Sequence, residues 1–195
     1  SNANRAAQLV QSFKQVAVDQ TSDDRRGFDL KKYIEETLVS LQPKLRGTRV
    51  AVHVDCSPGI EMDSYPGPLA QVITNLILNS LQHGFAAGTN GSIRITARLD
   101  GDDEVVLCHE DDGRGIPEEL HDRIFEPFFT TRRGFGGSGL GLHLVYNIVT
   151  ARLNGSIEVK TRAGGGTVFV LRLPRVSRYA ANLTNALRTG PRNLE

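Results

Sequence analysis

The chain has few cysteines and almost no net charge, and each of these two features argues against particular kinds of site or partner. Cys56 and Cys108 are its two cysteines, and they lack the paired spacing of a zinc site and are too few for a disulfide framework. Lysine and arginine total 23 and aspartate and glutamate total 22, which leaves a formal net charge of +1. A nucleic-acid-binding surface would be strongly basic, so we expect no nucleic-acid partner.

Long apolar runs are also missing. No stretch approaches the roughly 18 apolar residues that span a bilayer, and no signal peptide precedes the first predicted element. We therefore expect a cytoplasmic location, with any membrane attachment made through segments outside this sequence. Residues 1–3, Ser1-Asn2-Ala3, are typical of the remainder of a cleaved tag, which indicates a piece of a longer protein.

Glycine, by contrast, is in excess. The chain has 20 glycines in 195 residues, against a typical share of roughly 7%. Eleven of them lie between Gly113 and Gly166, inside segments that otherwise have the pattern of regular structure. The backbone there must turn tightly or let another group approach closely.

The spacing of apolar residues predicts the order of helices and strands. The predicted helices span 4–20, 31–42, 69–82 and 138–152, and the predicted strands span 48–55, 60–63, 92–99, 104–108, 155–161 and 167–173. Pro43 is expected to end the second helix, and the polar residues 21–27 are expected to form a linker. Separate hairpins and helices indicate an α+β fold, with helices on one face of a mostly antiparallel sheet. Residues 175–195 show marginal helical character and receive no role.

Asn75 and Asn79 lie four residues apart in a predicted helix, so both amides project from one face. Asparagine is a poor helix former, which suggests that each has a reason to be there. One interpretation is that the amides hydrogen-bond to a neighbouring loop. The other is that an amide oxygen binds magnesium, which usually keeps several waters and takes its other ligands from phosphates.

Asp111 follows a predicted strand and opens the sequence Asp-Asp-Gly-Arg-Gly-Ile-Pro. A carboxylate at a strand end can accept a hydrogen bond from the exocyclic amine of a base. Gly113 and Gly115 would let a flat ring lie against the backbone, although any glycine-rich turn could carry such a pattern.

A second glycine-rich segment, 134–142, opens the predicted 138–152 helix, where free backbone amides suit a phosphate. The segment has neither the Walker A pattern nor the βαβ setting of a dinucleotide fingerprint. Before it, three phenylalanines within Phe125–Phe129 precede Thr-Thr-Arg-Arg. They are either core residues or hydrophobic anchors for a mobile basic lid.

Four segments resemble, in order, the N, G1, F and G2 boxes of sensor histidine kinases. They are Asn75–Asn79, Asp111–Gly115, Phe125–Phe129 and Gly137–Gly141. The similarity covers roughly residues 28–174, and residues 4–27 look like the end of a dimerisation hairpin with its linker. The wider group includes Hsp90, type II topoisomerases and mismatch-repair ATPases. The resemblance implies a Bergerat fold, a two-layer α/β sandwich in which helices back a mixed sheet and a flexible lid covers the nucleotide.

The resemblance also implies a role for each matching residue, with ATP and Mg²⁺ as cofactors. Asn79 would hold Mg²⁺ and Asp111 would bind adenine. Gly113 and Gly115 would shape the adenine pocket, and Thr167 would hydrogen-bond near adenine. Gly137, Gly139 and Gly141 would line the phosphates, and Arg132 or Arg133 would supply a lid cation. The remaining residues that the resemblance places at the nucleotide are Asn75, Ile116, Phe125, Ser138, Leu140 and Leu142. Gln82 departs from the family, which often has a basic residue there; His83 is either its substitute or a histidine that meets the last helical carbonyls.

The residue type at position 75 distinguishes ATP hydrolysis from phosphoryl transfer within the wider group. Members that hydrolyse ATP have a glutamate at this position, one helical turn before the magnesium asparagine, where it activates water. An amide cannot take a proton from water at neutral pH, so Asn75 favours phosphoryl transfer to another nucleophile. In this family the acceptor is a histidine, and the phosphoryl group then passes to an aspartate of a response regulator.

The phosphoacceptor histidine is expected to lie outside this sequence. None of the five histidines has the helical His-Glu-Leu or His-Glu-Phe setting of the family, and His109-Glu110 ends a predicted strand. We therefore expect a protein histidine kinase domain that binds ATP but does not phosphorylate itself alone. The full-length protein would form a homodimer through its own phosphoacceptor domain. Two alternatives stay open, an ATP-hydrolysing member of the wider group and a nucleotide-regulated docking domain without catalysis.

Overall fold

The computed structural model describes residues 24–130 and 139–177, which form a five-stranded sheet, a two-stranded sheet and three α-helices. The predicted 4–20 helix lies outside these residues. The strands are β1 (Arg26–Asp29), β2 (Arg49–Cys56), β3 (Glu61–Ser64), β4 (Asn90–Asp100), β5 (Glu104–Asp111), β6 (Ser156–Thr161) and β7 (Thr167–Pro174), and the α-helices are α1 (Leu30–Leu45), α2 (Pro66–Asn79) and α3 (Gly141–Asn147). Among these residues no helix is long and apolar enough to cross a membrane.

The larger sheet has the strand order β2-β4-β5-β7-β6. β2 pairs with β4 in parallel, and the other three pairs are antiparallel. A parallel pair needs a crossover, and the chain between β2 and β4 supplies one through β3 and α2. The mixed, mostly antiparallel sheet backed by helices confirms the predicted α+β fold class.

The core lies between the larger sheet and the helices. α2 buries an almost continuous apolar face, and β4, β5 and β7 contribute alternate side chains to the same core, as expected for a sheet covered on one face. The largest fully buried side chains are Tyr33, Phe169, Leu30, Ile34, Ile60, Leu69, Ile73, Leu76, Ile77, Ile93, Ile95 and Leu107. This core fixes the ends of α2 and β5, which border the candidate site.

Pro43 does not end α1 as predicted, because the helix continues to Leu45. A proline inside a helix removes one backbone donor and crowds the carbonyl four residues earlier. Here it stands only two residues from the helix end, so little helix remains to be disrupted. The amide of Arg46 then bonds to the Gln42 carbonyl and completes the last turn.

The two α-helices that border the candidate site, α2 and α3, are followed by π-helical turns that the 3.6-residue period does not predict. α2 is followed by the π-helical turn Ser80–Gly84, and α3 by the π-helical turn Ile148–Arg152. α3 begins at Gly141 rather than at the predicted residue 138. Such turns are frequent at functional sites, and the first of them borders the cavity described below.

The small sheet brings both ends of the described chain together on β3. β1 pairs antiparallel with β3 and begins at Arg26, two residues before the expected domain boundary, and Arg25 forms an ion pair with Asp63. From the other side, the Asp63 amide donates to the Arg175 carbonyl, and the Ser177 amide donates to the Asp63 carbonyl. The first residues of the tail, for which the sequence predicted no role, therefore dock on β3.

Candidate nucleotide-binding site

One cavity of about 540 Å³ opens where the end of α2, the end of β5 and the start of α3 meet. Its size falls within the range of small-molecule sites, which are concave, largely apolar and carry a few convergent polar groups. The lining residues are Asn75, Leu78, Asn79, Ser80, Gln82, His83, Gly84, Asp111, Arg114, Gly115, Ile116, Pro117, Leu120, Ile124, Phe129, Thr130, Gly139, Gly141, Leu142 and Thr167.

Asp111 is the buried carboxylate of this cavity, with 2% of its surface exposed. It is the last residue of β5, where it pairs in register with Thr167 at the start of β7. Its Oδ2 accepts a hydrogen bond of 2.7 Å from the Ser80 hydroxyl, and its Oδ1 accepts one of 3.0 Å from the Gly113 amide. A carboxylate oxygen can accept more than one hydrogen bond, so Asp111 keeps acceptor capacity for a ligand.

Glycines allow three backbone segments to meet around Asp111. A Cβ on Gly166, where φ is +103°, would overlap with the Asp111 carbonyl oxygen. A Cβ on Gly113 would lie 2.6 Å from the Gly84 carbonyl oxygen. The β6–β7 hairpin, the loop after β5 and the end of the π-helical turn therefore contact one another directly.

Asn75 and Asn79 both line the cavity from α2, as the spacing of four predicts. The Asn75 Nδ2 donates to the carbonyl of Gln71 at 2.9 Å, so the amide nitrogen bonds its own helix. Its Oδ1 lies 3.8 Å from the position that a Cβ on Gly141 would occupy. The Asn75 oxygen, and not its nitrogen, therefore faces the start of α3.

The donors that line the cavity suit a magnesium ion shared with phosphates better than a metal held by protein alone. Within residues 24–130 and 139–177 no group of three or more His, Cys, Asp or Glu side chains could hold a metal ion. Asn79, whose side chain carries one neutral amide oxygen, lines the cavity. Mg²⁺ keeps several waters and takes further ligands from substrate phosphates, so it needs few ligands from the protein.

The phenylalanine segment is held against the core at two points. Phe125 and Phe129 are half-buried and pack on the core, and the Phe125 ring lies 5.6 Å from the Tyr146 ring. Phe128 is 65% exposed, with a positive φ of 65°. A Cβ on Gly139 would come within 2.5 Å of the Phe128 carbonyl carbon, so these two backbones touch.

The structure brings together most of the residues that the sequence proposed for a nucleotide site. Asn75, Asn79, His83, Asp111, Gly115, Ile116, Gly139, Gly141, Leu142 and Thr167 line the cavity. Gly113, Phe125 and Leu140 do not, because Gly113 packs on Gly84, Phe125 packs on the core and Leu140 is exposed. Arg132, Arg133, Gly137 and Ser138 lie outside the described residues.

Sequence reasoning missed several lining residues. Ser80 and Gly84 follow Asn79 in the π-helical turn, where helical spacing gives no guide to direction. Arg114 stands between the two glycines after Asp111, and Leu120 and Ile124 lie four apart, an apolar pair that could have been noticed. Leu120 and Ile124 add to the apolar part of the wall, and Arg114 adds a basic side chain.

Comparison with known proteins gives consistent matches. Residues 64–177 match the family described as histidine kinase-, DNA gyrase B- and HSP90-like ATPases. The sensor histidine kinase ZraS of Salmonella typhimurium is 40% identical over 113 residues, which are 58% of this chain and 23% of that protein. The signal transduction histidine-protein kinase AtoS of Escherichia coli is 36% identical over 152 residues, which are 74% of this chain and 23% of that protein. The chain thus spans less than a quarter of these relatives.

Solved structures agree with the sequence matches. The catalytic domain of histidine kinase ThkA is 30% identical with a TM-score of 0.69, and the match covers 80% of this chain and 99% of that one. Full-length ShkA in complex with AMPPNP is 25% identical with a TM-score of 0.63 over 85% of this chain and 34% of that one. These matches confirm the resemblance drawn from the four boxes. The chain belongs to the family of histidine kinase-, DNA gyrase B- and HSP90-like ATPases, and within it to the ATP-binding catalytic domains of sensor histidine kinases.

Proposed function

We propose that this domain binds ATP with Mg²⁺ in the cytoplasm and transfers the γ-phosphoryl group to a histidine on a separate helical segment, from which it passes to a response-regulator aspartate. The observation that carries the proposal is the pair Asn75 and Asn79, which line one cavity with the buried Asp111. Residues 28–174 would form the nucleotide-binding domain, residues 4–27 the end of the dimerisation helix with its linker, and residues 175–195 a tail.

Each polar lining residue has a distinct task in this proposal. Asp111 accepts a hydrogen bond from the adenine amine, and Thr167 lies beside it in register on β7. Asn79 holds Mg²⁺, which when bound neutralises charge on the phosphates. Gly139 and Gly141 line the cavity at and just before the start of α3, where they would face the phosphates. Phosphoryl transfer needs mostly positioning and charge stabilisation from the protein, which these groups supply.

Asn75 favours transfer over hydrolysis. In the ATP-hydrolysing relatives a glutamate at this position takes a proton from water, and the Asn75 amide has no comparable basicity. Its nitrogen also bonds to the Gln71 carbonyl, which holds the side chain in one orientation. Asn75 can orient a neighbouring group but cannot activate water, so ATP remains available for another nucleophile.

We expect the acceptor histidine to lie outside this sequence, because none of the five histidines has the helical setting of the family. His109 is 1% exposed in the core side of β5 and cannot reach a phosphate. The ring nitrogens of His143 contact the Phe125 carbonyl and Asn147, and His121 contacts the Ile116 carbonyl. We therefore expect no autophosphorylation by this chain alone.

A homodimer of the full-length protein would bring acceptor and domain together, and the likeness to ThkA solved with the response regulator TrrA, at 27% identity, supports a regulator partner.

One titration tests the proposal. Calorimetry with a non-hydrolysable ATP analogue, with and without Mg²⁺, is expected to show affinity that rises with Mg²⁺. Asn79→Ala should remove that rise, whereas Asn90→Ala, an exposed asparagine at the start of β4, should preserve it. Asp111→Asn should lower affinity tenfold or more, about 1.4 kcal/mol, because a charged hydrogen bond is lost.

Other outcomes would favour the alternative functions. Binding that ignores Mg²⁺, or no binding, would point to a docking domain without catalysis. Steady-state phosphate release that Asn79→Ala abolishes would point to an ATP hydrolase. Acid-labile phosphate on the purified chain after incubation with ATP would contradict the expected absence of an acceptor.

A further inference from the structure

Ser80 forms an unusual hydrogen bond for a hydroxyl in a helix. Polar side chains in helices often bond a carbonyl of the preceding turn, as Thr37, Asn75 and Thr150 do in this chain. Ser80 instead donates to Asp111, 31 residues away in sequence, with an Oγ to Oδ2 distance of 2.7 Å. It is 1% exposed and lines the nucleotide cavity.

The hydrogen bond from Ser80 completes a two-sided support for the Asp111 carboxylate. The Gly113 amide donates to Oδ1 from the loop after β5, and Ser80 donates to Oδ2 from the π-helical turn after α2. One donor alone would leave the carboxylate free to turn about its Cβ–Cγ bond. Two donors on different oxygens, from different elements, hold its plane and direct the remaining lone pairs.

The direction of those lone pairs matters for the choice of base. The 6-amino group of adenine donates hydrogen bonds, whereas guanine presents an acceptor at the same position. A carboxylate that is held in one plane meets the amine without reorientation, so less conformational freedom is lost on binding. A site built around a hydrogen bond to a ligand group rejects analogues that lack the group.

We propose that Ser80 is a positioning residue for adenine recognition, which acts by fixing the plane of the Asp111 carboxylate. This inference rests on the proposed function, in which Asp111 binds the adenine amine. Ser80 takes no part in the reaction, and its hydroxyl donates a hydrogen bond to Asp111. The loss of its hydroxyl should therefore weaken recognition of the 6-amino group and leave the contacts to the ring, sugar and phosphates unchanged.

The test compares two nucleotides on matched variants. Calorimetry with Mg²⁺ measures the affinity for ATP and for purine riboside triphosphate, which lacks the 6-amino group. Ser80→Ala should lower the affinity for ATP about three- to tenfold, the usual range for one net hydrogen bond, and change that for the analogue less than twofold. Ser80→Thr, which keeps the hydroxyl, should retain the preference for ATP.

Ser177→Ala is the matched control, since Ser177 is fully buried and its Oγ has no hydrogen-bond partner among the described residues. It should leave both affinities unchanged. Melting of each variant without nucleotide separates a general loss of stability from a change in recognition.

Two results would overturn the inference while the proposed function stands. In the first, Ser80→Ala lowers the affinity for both nucleotides equally, which indicates a packing role. In the second, Asp111→Asn lowers the affinity for ATP, whereas Ser80→Ala lowers the affinity for neither nucleotide. If the wild-type protein fails to bind ATP in a magnesium-dependent manner, the proposed function fails and the inference fails with it.

Discussion

His109 should make the stability of this domain depend on pH. It lies in the middle of β5, on the core side of the sheet, and is paired in register with Ile95 and Phe169. Neither ring nitrogen has a hydrogen-bond partner within the described residues, and the ring lies 6.3 Å from that of Phe169. Burial without a partner disfavours the charged form and lowers the pKa of His109 to about 4.

The sign and size of the effect follow from this lowered pKa. An unfolded histidine has a pKa of about 6.5, so between pH 6.5 and 4 the unfolded chain binds more protons than the folded one. The contribution of the neutral His109 to the free energy of unfolding is therefore fully present above pH 6.5, and it falls as the pH decreases toward 4. The loss from this one residue between pH 7 and 4.5 is about 2 kcal/mol, which is a large share of a typical domain stability.

Urea unfolding of the wild-type protein and of His109→Leu across this pH range measures the contribution. Leucine fills a similar volume without polar atoms, so the variant should be at least as stable as wild type at pH 7. The stability advantage of the variant should then grow by about 2 kcal/mol by pH 4.5. His53→Leu, at an exposed histidine of β2, is the matched control.

A constant difference between wild type and His109→Leu at every pH would refute the reasoning. It would mean that His109 titrates near its ordinary pKa, and therefore that water or a polar group reaches its ring. A marked loss of stability in His109→Leu at pH 7 would point the same way, since it would show that the ring nitrogens make a stabilising contact.

Two further predictions concern the backbone. Gly166→Ala should destabilise the domain by about 3 kcal/mol or more in urea unfolding, because its Cβ would overlap with the Asp111 carbonyl oxygen. Gly164→Ala, with a positive φ and open space around it, should cost only about 1–2 kcal/mol, and equal losses would contradict the proposed close approach. Asp29→Ala should cost about 1 kcal/mol in the same assay, because Asp29 caps the first turn of α1 by accepting from the Lys32 amide at 2.7 Å. No loss of stability in this variant would show that the cap contributes nothing.

The elements with a strong apolar period could be predicted closely from the sequence. Alternation placed β2, β4, β5, β6 and β7 within a few residues of their observed ends, because each strand has one face on a single core. The prediction that Pro43 ends α1 was wrong. It was based on the hydrogen bond that a proline removes, and it ignored that Pro43 stands only two residues before the end of the helix. The parallel pairing of β2 with β4 could not be predicted, because it depends on a crossover and not on local pattern.

The candidate site was predictable where it depends on side-chain spacing and not where it depends on backbone geometry. Asn75 and Asn79 share a face in any α-helix, so their convergence follows from the sequence. The bond from Ser80 to Asp111 arises in a π-helical turn that no periodic pattern announces. Gly113 looked like a residue that lines the base, but its space is occupied by the Gly84 carbonyl.

The excess of glycine acquires a physical meaning from these contacts. Gly113, Gly139 and Gly166 each stand where another backbone segment leaves no room for a Cβ, and each joins a different segment to the cavity wall. Backbone contacts of this kind position Asp111 without adding charge to the chain. A chain whose formal net charge is only +1 can therefore hold a buried carboxylate at a cavity wall, because backbone contacts and not a basic surface position it.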